Sequence, residues 1–451
     1  FKQKTAYEIM PSLVGSEMCI RDRKEGVETK GYVELPLAIK LNRDFLNKGL
    51  FVPRIPEDRC FTDETDILLE PDQDVKVQVD VSDKIQAIES GTEGITSVNV
   101  RSGQQCVIPR ENLDLIDWEK AYFDLLKYKE QKGLVNLAIR PDTPKKILTT
   151  EEPTYLYTLI ADEKVVKPNS FHDTALLQET AETILRKYVD SFYRVRQERW
   201  ESEHMVYKDL DESDPNFQDY TIKISRDEDD LIEAVQKLIE EGERIYNEDE
   251  KTGVPRRIHF DRHLYQPLLL EPLLLEQGER VKSEPPGLKD SERRFVEHMR
   301  AYCCAEKDKS LANKEVYLLR NLSRGKGIGF FDKRGFYPDF ILWIIDAYTQ
   351  RIVFIEPHGM LRAKAYKNDD KARLHEKLPE LAEEISKRTG IQNVELDSYI
   401  ISATPYEELR ERYDDGTWDK KQFEEKHILF FPQESEEYNY LVHLMRGKCP
   451  E

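Results

Sequence analysis

No apolar run in this sequence approaches the ~20 residues that a membrane-spanning helix needs, so a membrane protein is not expected. No stretch combines a charged n-region, an apolar h-region and a cleavage site, and a cytoplasmic protein without a membrane partner is the expectation. Cysteine is scarce. Cys19, Cys60, Cys106, Cys303, Cys304 and Cys449 form no CxxC pair and keep no regular spacing, which argues against a disulfide framework or zinc ribbon. Adjacent Cys303 and Cys304 rarely converge on one ion, so with His298 nearby they read as core packing. His259 and His263 lack a third ligand at a recognisable spacing. There is no internal repeat and no GxxxxGK[ST] phosphate loop. Gly325-Lys326-Gly327-Ile328-Gly329 lacks the Ser/Thr after the lysine and the trailing helix, and reads as a turn between strands.

What is present is a long, charged and aromatic chain of 451 residues, about three domains at ~150 residues each. With 22 Tyr and 18 Phe it has too much aromatic content for disorder. The formal charge of −20 argues, taken whole, against a nucleic-acid coat protein. The charge is uneven, however. Residues before Glu284 carry 40 basic and 57 acidic side chains, and Glu284–Glu451 carry 28 and 31. Between Ser310 and Arg373 the sign reverses, with 12 basic against 7 acidic.

The pattern along the chain predicts a mixed α/β protein. Residues 24–117 hold short β-type runs (YVELPLAIKL, KVQVDV, KIQAI, ITSVNVR, QQCVIP) separated by turn chemistry, and are expected to form a β-rich domain. Residues 118–283 are expected to be a mainly helical connector. It holds helices over Trp118–Lys132, Thr174–Trp200 and Asp229–Tyr246, and a loose hairpin between Glu203 and Ser225. Leu264–Leu275, broken by Pro267 and Pro272, reads as a packed interdomain segment. Ser283-Glu284-Pro285-Pro286-Gly287 marks the main boundary, and residues 284–451 follow the order α-β-β-β-α-β. The opening stretch Phe1–Arg23, FKQKTAYEIMPSLVGSEMCIRDR, resembles translated sequencing adapter; the native chain is then expected to begin near Lys24.

The chemistry concentrates in the middle strands of this last domain. If Asp346–Thr349 closes a hairpin, Ile345 pairs with Gln350 and Asp339 lies across from Glu356. Flanking FILWII and IVFI are apolar on both faces, so the two carboxylates would meet in a buried place and repel. A divalent cation is the natural compensation, and Mg²⁺ takes one or two carboxylates plus water and phosphate oxygens. Glu292 falls in the apolar stripe Phe295, Val296, Met299 and Cys303 of its helix, facing inward; its alternative role is that of a first-turn acid at the helix dipole. Arg320, Arg324, Lys326, Lys364 and Lys367 surround the pair and are candidates for phosphate contact.

Tyr337-Pro338-Asp339 followed by Ile355-Glu356-Pro357-His358 resembles the PD-(D/E)XK nuclease motif, in the element order of that fold. The longer string GIGFFDKRGFYPDFILW…RIVFIEPHGM is similar to the C-terminal nuclease-like domain of DEAD/DEAH-box helicases of the type III restriction (Res subunit) kind. The resemblance covers roughly Lys289–Ala403. It implies that Asp339 and Glu356 are metal ligands, with Mg²⁺ as cofactor and Mn²⁺ as substitute, and that Glu292 is a helix-borne catalytic acid. His358 stands where the motif has its lysine, two residues past Glu356 and on the same face. Lys364 is a substitute from the following loop. The implied function is metal-dependent endonuclease action on double-stranded DNA within a restriction or antiviral-defence machine, with a DNA methyltransferase subunit as a further partner. ATP would belong to a helicase core upstream of this chain, since no helicase motif is present. The alternative reading is a DNA-binding or subunit-docking module on the same fold, with His358 marking lost catalysis.

Overall fold

The computed structural model describes residues 27–29, 32–39, 41, 43–81, 84–91, 94–101, 104–150, 155–241, 256–257, 268–269, 281–322, 337–360, 366, 369, 371–413, 416–432 and 438–446. The protein is mixed α/β. Among the described residues no helix is long and apolar enough to cross a membrane. The adapter-like stretch, His259, His263, the GKGIG turn and most of Leu264–Leu275 lie outside the described residues.

Residues 61–200 share one core. The helix Phe171–His204 begins where the Ser170 hydroxyl accepts the Asp173 N–H at 3.2 Å, an N-cap. Leu177, Ala181, Ile184, Leu185, Tyr188 and Phe192 recur along it at helical spacing and are fully buried. Against it pack the helix Trp118–Lys132 and a sheet in which Tyr157–Ala161 runs parallel to Val77–Asp80 and antiparallel to Gln104–Cys106.

A second body is assembled from distant pieces. Tyr32–Leu37 pairs with Tyr220–Ser225, which pairs in turn with Val281–Glu284. Phe51–Arg54 pairs with Val206–Asp209. The expected division at residues 117/118 therefore does not separate folding units: strands of the first segment find their partners in the second. The expected hairpin between Glu203 and Ser225 does not form either, because Val206–Asp209 and Tyr220–Ser225 belong to different sheets.

The C-terminal domain follows the expected element order. Helix α1 (Asp290–Glu306) precedes strands β1 (Glu315–Arg320), β2 (Phe340–Ile345) and β3 (Gln350–His358). Then come α2 (Leu374–Thr389), β4 (Val394–Ser402), α3 (Tyr406–Arg412), α4 (Lys420–Glu425), β5 (Ile428–Phe430) and α5 (Asn439–Arg446). The strands lie in the order β1-β2-β3-β4-β5, antiparallel from β1 to β3 and parallel from β3 to β5. Helix α2 ends at Gly390, whose φ of 78° is left-handed and suits a residue without Cβ.

Both faces of the sheet are covered. On one, Phe295, Val296 and Met299 of α1 and Leu441 and Leu444 of α5 meet Phe340, Leu342, Val353 and Ile355. On the other, Ile341, Trp343, Ile352, Phe354 and Leu396 share a core with Leu378, Leu381 and Ile385 of α2. That same core takes in Leu35, Val52, Tyr207 and Ile222 of the second body. Polar bonds fasten the join. Trp343 Nε1 donates to Phe51 O at 2.8 Å, and Phe51 N–H donates to Gln350 Oε1 at 2.7 Å. Gln350 Nε2 donates to Gly49 O at 3.0 Å, and Arg388 Nη2 to Met205 O at 2.7 Å.

Candidate functional site

The hairpin that carries the acids has its register set by a turn. Asp346 Oδ1 accepts the N–H groups of Tyr348 at 2.9 Å and Thr349 at 2.8 Å, and the Asp346 N–H donates to Thr349 O at 3.1 Å. An Asx turn of this kind favours chain reversal at that point. Ile345 pairs with Gln350, and the ladder runs to Phe340 opposite Ile355. The ladder ends one residue short of Asp339 and Glu356, whose charges act on each other. The Asp339 backbone is held by Asn321, whose N–H donates to Asp339 O at 2.8 Å and whose Nδ2 donates to Pro338 O at 2.9 Å. Pro357 lies past the last β2–β3 pair, where the missing N–H breaks no bond to β2.

The electrostatics are those of crowded acids. Burial, then the charge of Glu356, then that of Glu292, pushes the Asp339 carboxyl up to about 8, with Lys289 and Arg320 opposing. Glu356 is 7% exposed, and its Oε2 has no hydrogen-bond partner. Its Oε1 takes the Lys371 ammonium at 2.5 Å. His358 shares the face of Glu356, with Nδ1 at 3.8 Å from Glu356 Oε1 and unpartnered; burial lowers its basicity.

Glu292 arrives from the α1 face of the sheet rather than from the α2 face that carries Ile341 and Phe354. It is 2% exposed. Its Oε2 accepts Arg320 Nη2 at 3.0 Å and the Lys289 N–H at 3.3 Å, so it caps its helix as well as acting on Asp339. Arg320 is used inward: besides Glu292 it donates to Pro286 O at 2.6 Å and Gly287 O at 3.1 Å. A guanidinium spent in this way is not presented to a phosphate, contrary to the expectation from its surroundings in the sequence. Arg324, Lys326, Lys364 and Lys367 lie outside the described residues.

Lys371 is the residue that the sequence pattern did not single out. It sits fifteen residues after Glu356, just ahead of α2, and its side chain is 38% exposed. Among the described residues no group of three or more His, Cys, Asp or Glu side chains is gathered that could hold a metal ion. Among the described residues, Asp339 and Glu356 act on each other's charge, Glu292 is turned to Arg320, and Asp369 lies near His358 and Lys371. Two carboxylates, one with an open buried oxygen and one whose ionisation is opposed by the other, form a donor set that suits a hard divalent cation completing its shell with water. Compared with family models, curated proteins and solved structures, the chain matches none.

Proposed function

We propose that the C-terminal domain is a PD-(D/E)XK-like nuclease that hydrolyses DNA phosphodiesters with a divalent metal. The observation that carries this reading is the buried acid pair: Asp339 pushed up to about 8 near Glu356, whose Oε1 takes Lys371 while its Oε2 has no partner. Asp339 and Glu356 would hold Mg²⁺ or Mn²⁺, which when bound supplies Lewis-acid charge next to the scissile phosphate. Lys371 would do the work of the motif's lysine, orienting an attacking water and offsetting negative charge as it develops on the phosphate oxygens. His358, kept neutral by burial, would accept a proton at its open Nδ1. Glu292, tied to Arg320, would position the first turn of α1 without ligating the metal.

In the larger setting, this chain would be the C-terminal part of a restriction or defence helicase–nuclease acting on double-stranded DNA beside a modification methyltransferase, with ATP used by an upstream core. A second reading is a DNA-binding module without catalysis. The internal neutralisation of Glu356 by Lys371 and of Glu292 by Arg320 favours it. The test is supercoiled plasmid incubated with the full chain in Mg²⁺, Mn²⁺ or EDTA. Asp339→Ala and Glu356→Ala are expected to abolish nicking, and Lys371→Met to slow it by ~10²–10⁴-fold. Cleavage that survives both acid substitutions would overturn the site, while salt-sensitive binding with no cleavage in either metal would select the second reading.

A further inference from the structure

Beyond the C-terminal ends of β4 and β5 lies a cavity of about 410 Å³. Arg294, Thr404, Tyr406, Glu407, Lys420 and Phe431 are among its lining residues. Among the described lining residues Arg294 and Lys420 are basic and Glu407, exposed at the rim, is acidic; Lys420 also takes part in an interaction of its own. Arg294 is preorganised. Its Nη2 donates to Pro432 O at 2.5 Å, and the guanidinium lies 4.7 Å from the centre of the Phe431 ring. A guanidinium has five N–H donors, so most of this planar fork is left for an anion. Tyr406 is fixed in the wall by its hydroxyl, which donates to Trp418 O at 3.3 Å, and by edge contacts to Phe423 and Phe430.

The cavity wall is bonded to the strand that carries the acids. The Ala403 N–H donates to His358 O at 3.0 Å, and Thr404 Oγ1 accepts the Met360 N–H at 2.9 Å. On α1, Ser291 Oγ donates to Pro357 O at 2.6 Å, and Arg294 follows one turn later on the same side. Strands β3 and β5 flank β4, so across the sheet the ends of β3 and β5 are about 10 Å apart at ~4.8 Å per strand. A cavity of about 620 Å³ beside α2 differs in kind. It sets Arg351, Lys387 and Arg446 against Glu383, Glu395 and Asp397 and has no aromatic lining.

We propose that the cavity at the ends of β4 and β5 is a nucleotide subsite, taking the phosphate and base of one unpaired nucleotide that flanks the phosphodiester at Asp339 and Glu356. The placement of the scissile bond rests on the nuclease reading; the binding of a nucleotide does not. Its volume exceeds the ~300 Å³ at which ligand pockets begin and has no room for a duplex. Arg294 and Lys420 meet the phosphate, and Tyr406 offers its ring to the base, a form of recognition that tolerates any sequence.

Fluorescence anisotropy of a labelled single-stranded hexadeoxynucleotide on the full chain in EDTA tests this without any cleavage. Lys420→Glu and Tyr406→Ala are expected to weaken binding about fivefold or more, Tyr406→Phe to preserve it, and Lys420→Glu also to lower the salt slope by ~1. Deoxyadenosine monophosphate added as competitor separates a free-nucleotide site, which it would block at low concentration, from a strand site, which it would not. Affinity unchanged in Lys420→Glu, an exposed position whose folding is checked by circular dichroism, overturns the subsite, as does a wild-type chain that binds no hexamer. Binding that depends on Lys420 and Tyr406 in a protein that cleaves nothing would sink the nuclease reading and keep the subsite.

Discussion

Asp339 is a carboxyl whose ionisation the fold opposes. Its folded pKa, pushed to about 8 by burial and by Glu356 and Glu292, lies above the ordinary aspartate value. The stability it contributes is therefore fully present below the unfolded pKa of ~3.9 and is lost as the pH rises through the folded one. In EDTA the thermal midpoint of the wild type is expected to fall between about pH 4 and about pH 8, and Asp339→Asn to flatten that fall. Parallel curves for the two proteins would remove the argument. Arg320 gives the opposite kind of test. Its bond to Glu292 joins side chains 10% and 3% exposed, and breaking a pair so deeply buried costs ~3–5 kcal/mol because a charge is stranded. Arg320→Ala should lose about that much in urea denaturation at neutral pH. A variant as stable as the wild type but weakened in DNA binding would return Arg320 to the phosphate contacts.

At the scale of elements, α2 carries a buried histidine in its first turn. His375, in its first turn, bonds through Nδ1 to Ala372 O at 2.9 Å and stacks at 4.3 Å on His427, whose Nδ1 lies 2.9 Å from Asp397 Oδ1. Burial, then the charge of His427, lowers His375 to about 4, with Glu376 and Asp397 opposing. A folded pKa below the ordinary ~6.5 means stability present above that value and lost as the pH falls through the lowered one. Chemical denaturation midpoints should drop between about pH 6.5 and about pH 4, and less so in His375→Gln. Equal drops would place the acid sensitivity elsewhere. The elements around the site were largely legible in the sequence, because the hairpin is local: Asp346 closes it, and alternation then assigns every pair out to Asp339 and Glu356. Upstream, the same alternation identified the runs at Tyr32–Leu37 and Tyr220–Ser225 as strands but carried no sign that they pair with each other across 180 or so residues. Nor does a local pattern reveal Lys371, which meets Glu356 from fifteen residues further on, or that Arg320 turns inward toward a helix cap.

The whole molecule is more continuous than three consecutive domains would be. Trp343 is fully buried, and its face of the sheet is closed by residues from two upstream segments, Leu35–Val52 and Met205–Val235, as well as by α2. Residues 289–451 expressed alone should therefore expose Trp343, Ile341, Ile352 and Phe354, and are expected to be poorly soluble or to melt well below the full chain. Size-exclusion chromatography with calorimetry on both proteins checks this. A soluble fragment melting with the full chain would show the upstream contacts to be dispensable.

Strand β3 has a further consequence for transplantation. Gln350 at its start is tied to Gly49 and Phe51, while Glu356 and His358 stand at its end. A chimera that moves the acid-bearing hairpin to another scaffold would sever those ties and leave an amide without partners beside an exposed tryptophan. The smallest portable piece is accordingly not a contiguous stretch of sequence. It is the C-terminal domain together with the strand around Phe51, and with the neighbours that hold that strand in place.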